Sequence, residues 1–177
     1  MTVTHQTSSD RFQREHGQIA ASRKLLADSV QFARVAYAGH TGEFGEPAIE
    51  HPLRVMASLT GDDVRIVAVL HDTIAHSVAT MVDLRALLPN RLLMAVSALG
   101  PAFEESEGIA SQVILADPIA LSVKLACIAD LADPERLALL DPFTRRRRES
   151  LAAASARALG TTLPKLLATW KPNRPRA

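Results

Sequence analysis

The segment Val64–His76, VRIVAVLHDTIAH, is apolar on most of its helical faces, and it constrains the chain more than any other feature. Such a helix is stable only where other elements enclose it, so the segment belongs at the centre of its fold. The surrounding sequence is of one kind. Ala and Leu dominate, aromatic residues make up only 4%, and β-branched runs with period two are scarce. Apolar residues recur instead at three- and four-residue spacing, the period of an amphipathic helix. The expected fold is an all-α bundle of about eight helices around residues 64–76.

Residues 1–17 are polar without a repeating apolar face and read as a disordered lead-in. From about Ile19, the set Leu25, Leu26, Val30, Phe32, Ala33, Ala36 and Tyr37 outlines one long amphipathic helix. Gly39, Gly42, Gly45 and Pro47 make a loop, and Pro52 sits in the first turn of a helix burying Leu53, Val55, Met56 and Leu59. Gly61 closes that helix and Asp62-Asp63 opens the central one. Helices follow at Thr80–Leu88 and Asn90–Leu99, split at Pro89, then at Phe103–Leu115 and from Asp117-Pro118 to Leu131. A short turn begins at Pro134-Glu135, and a last helix covers Phe143–Leu159. One helical domain over 18–160 with a tail at 161–177 is the expected organisation.

With 177 residues the chain can bury about two-thirds of its unfolded surface without a staple. Its single cysteine excludes an intramolecular disulfide and a Cys-built zinc finger. A net charge of +1 is far from that of a dedicated nucleic-acid binder. No apolar run approaches the ~20 residues of a membrane span, and the polar start is no signal peptide. The expectation is a cytoplasmic protein that binds neither nucleic acid nor membrane.

The sharpest local feature is His71-Asp72. A carboxylate beside an imidazole in so apolar a helix is costly unless paired or bound to a metal. The residues alone leave two readings: a hydrogen-bonded pair at a helix end, or half of a metal grip at a helix crossing. Context adds to this. The succession GEPAIEHPLRV, VAVLHDTIAHS and LSVKLACIADLADPERLALLD resembles the HD-domain phosphohydrolases, and within them the RelA/SpoT-type alarmone hydrolases and their small stand-alone relatives. The resemblance runs from about Phe32 to Leu159. It implies an all-α fold with one divalent metal, usually manganese, held by a His, the HD pair and a later Asp. It further implies metal-activated water acting on a guanosine polyphosphate, assisted by a Glu-Asp pair after the HD.

His71 and Asp72 match the HD pair. Counting fourteen residues back from His51, which matches the family's HP, puts the family's first His at Tyr37, and a phenol is a poor manganese ligand. The later Asp falls on Cys127, the carboxylate pair on Ala75 and His76, and an Asn that helps hold the nucleotide on Leu131. The resemblance with these departures implies a degenerate HD-domain protein without alarmone hydrolase activity. It would act as a ligand-binding or interaction module, for a nucleotide or small phosphorylated ligand, and would need no cofactor. The alternative is a metal-dependent phosphohydrolase acting on a nucleotide or phosphate ester through a rewired site. His71, Asp72, His76 and Cys127, with His40 nearby, would there hold a divalent metal, and such donors suit zinc better than manganese. Against it, Cys127 lies between Ala126 and Ile128 and reads as a small core hydrophobe. His51 is expected to anchor a loop through backbone hydrogen bonds. Lys124 and Asp130 are expected in ion pairs or caps, with Lys124 and Leu131 as candidate ligand contacts. Arg145–Arg148 spreads over all helix faces and reads as solvated surface, as do Lys171, Arg174 and Arg176. The glycine loop carries Glu43 and Glu46, the wrong sign for cradling phosphate.

Overall fold

A computed structural model describes residues 8–42, 44–76, 78–100 and 107–170. They form helices α1 (Ser8–Ala36), α2 (Glu50–Ser58), α3 (Asp62–Leu70), α4 (Met81–Leu87) and α5 (Asn90–Ala98). Then come α6 (Glu107–Ala116), α7 (Pro118–Leu131), α8 (Pro134–Leu137), α9 (Pro142–Ala158) and α10 (Leu163–Thr169). No strand occurs among the described residues, and Thr41 and Pro47 make only an isolated antiparallel bridge. The fold is all-α. No single described helix is long and apolar enough to cross a membrane.

The apolar helix is central. Ile66, Val67, Ala68, Val69 and Leu70 are each fully buried, as a helix without a polar face requires. Helices α1, α2, α5 and α7 pack against α3, and α7 in turn carries α6, α9 and α10 on its other sides. Three Asp-Pro steps start helices in the second half. Asp117, Asp133 and Asp141 each accept two backbone N–H bonds in the following turn, while the proline occupies a position where an N–H would lack a partner.

The boundaries differ from expectation in three places. First, α1 begins at Ser8 and not near Ile19, so residues 8–17 are helical. Residues 11–20 are exposed, and the i,i+4 pair Arg11–Glu15 at 3.1 Å supports the helix where no core does. The start of the expected lead-in, 1–7, lies outside the described residues, as do 101–106 and the end from Lys171 with Arg174 and Arg176. Second, the helical fold includes residues 163–170. Leu163, Leu166 and Trp170 of the expected tail pack on the core, and the Trp170 indole N–H donates to Asp133 Oδ2 at 3.2 Å. Third, α3 stops at Leu70. The Thr73 hydroxyl and backbone N–H both donate to Leu70 O, and His71 Nδ1–H donates to Ala68 O at 2.8 Å. Side chains thereby satisfy the last carbonyls of α3, and the His71-Asp72 pair sits in the turn just past the helix. Arg145 also leaves the expected solvated run, donating from Nε to Leu137 O at 3.1 Å.

Two leucines separate core from surface. Truncating the fully buried Leu70 to Ala is expected to cost about 2–5 kcal/mol in urea unfolding. Leu139→Ala, at a residue 75% exposed, should stay within about 0.5 kcal/mol of the parent.

Candidate functional site

Three elements meet at one end of α3. The first turns of α2 supply His51 and Arg54, the turn after α3 supplies His71 and Asp72, and the second half of α7 supplies Cys127 and Asp130. Asp130 is the anchor, with 1% of its side chain exposed. Arg54 donates to it twice, Nε to Oδ1 at 2.7 Å and Nη2 to Oδ2 at 2.9 Å, and His51 Nδ1–H donates to Oδ2 at 2.7 Å. His51 and Arg54 are three residues apart on α2 and so share the face turned to α7. Burial alone would raise the Asp130 pKa, but these donors outweigh it and hold the carboxyl below its ordinary value. Beyond Arg54, Glu46 binds Arg136 at 2.7 Å, and the Arg136 guanidinium lies 4.2 Å from the centre of the Phe44 ring. The glycine loop's acid is thus part of an internal charge network.

Next to Asp130, His51, His71 and Cys127 each offer a donor atom within 4.8 Å of the other two. His51 Nε2 is 3.4 Å from Cys127 Sγ, and the two imidazole rings meet edge-to-face at 5.2 Å. Both rings are oriented from behind. A carbonyl and an ionised carboxylate can only accept, so the contacts to Ala68 O and Asp130 place a proton on each Nδ1. Each Nε2 is left to face the cluster, and His71 Nε2 is buried without a hydrogen-bond partner. Asp72 Oδ2 lies 3.2 Å from His71 Nε2 and 3.6 Å from His51 Nε2, with its side chain 24% exposed. Electrostatics bind the group together. Burial pushes the Cys127 thiol up, but the adjacent His51 and His71 outweigh it and bring the thiol down to about 6. Burial likewise disfavours a charged His51, yet the thiolate and Asp130 raise it to about 9. Each group thus favours the charged form of the other, the imidazolium of His51 and the thiolate of Cys127.

The sequence candidates fall into distinct places. His71, Asp72 and Cys127 lie together, with Cys127 buried at 5% exposure. His51 does not anchor a loop through backbone bonds; it is the bridge between Asp130 and Cys127. Tyr37 is buried at 3% exposure, its hydroxyl lacks a hydrogen-bond partner, and its ring meets His76 at 6.1 Å. Burial and the nearby Asp72 carboxylate push its phenol further above the ordinary range, against the phenolate form. His76 is exposed with Nε2 3.9 Å from Asp72 Oδ2, Ala75 is exposed, and His40 is exposed with only a 3.3 Å contact to Ala38 O. Asp130 is ion-paired as expected. Leu131 packs partly buried against the core. Lys124 lines a cavity that His51, His71, Asp72 and Cys127 do not.

Sequence reading missed Arg54 and the inward role of His51. The signal was present in the i,i+3 spacing of two cationic side chains, but their target, Asp130, is 76 residues away from Arg54. Replacing Asp130 by Ala would strand Arg54 and His51 in a buried setting, with an expected loss of about 3–5 kcal/mol of stability by urea unfolding. Cys127→Ser, by contrast, should alter the cluster with a far smaller effect on the unfolding midpoint. No family model matches the chain, and no curated protein matches it.

Proposed function

We propose that this protein is a metal-binding relative of the HD-domain phosphohydrolases that does not hydrolyse alarmones. One observation carries the metal: the buried Nε2 of His71 makes no hydrogen bond, has the Asp72 carboxylate 3.2 Å away, and is grouped with donor atoms of His51 and Cys127. A buried polar atom in that state is expensive, and a cation satisfies it together with the other two donors. Two imidazoles and a thiolate suit zinc, whereas manganese favours oxygen donors. The outer contacts support the same reading, since metal-binding imidazoles characteristically donate their other N–H to a carboxylate or a carbonyl. Asp130 and Ala68 O are the acceptors here, from His51 and His71 Nδ1–H. Asp72, partly exposed beside both Nε2 atoms, is a further candidate ligand on the solvent side. His51 would give up its Nε2 proton on ligation, so binding weakens as pH falls.

A bound zinc supplies Lewis acidity and, with an open position, a water of lowered pKa. The rest of a hydrolase is lacking. Where the resemblance implies a carboxylate pair, the chain has the exposed Ala75 and His76, and where it implies an Asn it has the apolar Leu131. The role that remains is that of a ligand-binding or interaction module built around a metal-braced core. A metal-dependent phosphohydrolase is the second reading, favoured only by the exposure of Asp72.

Protein purified without chelators is expected to carry stoichiometric zinc by elemental analysis, and His71→Ala and His51→Ala should each remove it. Adding zinc at about a thousandfold over its dissociation constant should stabilise the native protein by about 4 kcal/mol, read as a rise in melting temperature. Cys127→Asp should shift the preference from zinc toward manganese in the same assay. No zinc and no zinc-dependent shift would overturn the metal reading. Guanosine tetraphosphate should stay intact with either metal; pyrophosphate release that vanishes in His71→Ala would establish the second reading instead.

A further inference from the structure

A second site lies on another side of α7 and does not depend on the metal. Four helices line a cavity of about 320 Å³: the end of α5 with Leu99, α6 with Ile114, α7 with Lys124, and α9 with Leu151 and Ser155, followed by Leu159. Its size falls within the range of small-ligand sites, and its lining sets Ala, Leu and Ile side chains beside nearly as much polar surface. Among the described residues, Lys124 is the only ionisable side chain in the lining. It is half-buried and has no ion-pair partner among the described residues. Leu151, 53% exposed, lies at the same cavity and adds apolar surface that water reaches.

We propose that this cavity binds a small amphiphilic monoanion, a carboxylate with a short aliphatic body, with the Lys124 ammonium taking the carboxylate. A half-buried ammonium without an ion-pair partner among the described residues favours an anion. The Ala, Leu and Ile side chains favour an apolar body, in proportion to the surface it removes from water. The same features disfavour a nucleotide, because a polyphosphate calls for several cations or a cradle of backbone N–H groups. One lysine supplies neither. The sequence marks Lys124 as a candidate contact for a phosphorylated ligand, and the cavity around it points to a different chemical class.

Isothermal calorimetry on the full chain with octanoate, octanol and octylamine tests this without any variant. Octanoate should bind saturably and about tenfold or more tighter than octanol, with octylamine weakest. Lys124→Met keeps the aliphatic stem and should erase the preference for octanoate over octanol while leaving octanol binding in place. Ala154→Leu, which fills the cavity, should weaken both ligands, with far-ultraviolet circular dichroism confirming the fold. Octanol binding as tightly as octanoate, an octanoate preference that survives Lys124→Met, or no saturable octanoate binding would each overturn the proposal.

Discussion

The contact between Asp130 and the pair His51 and Arg54 holds α2, α7 and the end of α3 together. A carboxylate with 1% of its side chain exposed is tolerable only because three charge-assisted hydrogen bonds reach it. Those bonds tie the start of α2 to the end of α7 across the C-terminal end of α3. They also fix which nitrogen of His51 carries its proton and where the other one points. The geometry of the cluster is thus a consequence of the ion pair. Once Asp130 takes Nδ1, Nε2 can only face Cys127 and Asp72.

The thiol at residue 127 gives the cluster its character. Were residue 127 a carboxylate, its oxygen would sit beside two imidazoles as one more hard donor. The thiolate is larger, softer and more readily desolvated, which suits burial at 5% exposure. The neighbouring imidazoles stabilise it, so the cluster is held together by its own charges as well as by the packing around it. The cavity at Lys124 lies on the same helix but works by other physics, with one cation set beside Ala, Leu and Ile side chains.

Much of the fold was legible from the residues. The apolar run at 64–70 could be stable only at the centre, and it is there, with Ile66 to Leu70 fully buried. Pro89 separates α4 from α5, and Asp117-Pro118 opens α7, because caps and prolines act through neighbouring backbone atoms. Less was legible at ends that lack a strong local signal. The early start of α1 depends on weak helix propensity and surface pairs, and α10 exists because Leu166 and Trp170 find the core. The end of α3 at Leu70 follows from hydrogen bonds of His71 and Thr73, which compete with the helix for the same carbonyls.

For the site, the sequence by itself determined its chemical inventory: an adjacent His71-Asp72, one cysteine in the whole chain, and no carboxylates at Ala75 and His76. Local patterning also put most of these residues on or beside buried helices. Only the tertiary structure decided membership. It brought in His51, left His40 and His76 exposed, and left Tyr37 buried beside Asp72 without a hydrogen-bond partner. The reason is physical: spacing along a chain determines which side chains share one helix face, whereas the meeting of three helices depends on packing and on a buried charge 79 residues away from His51.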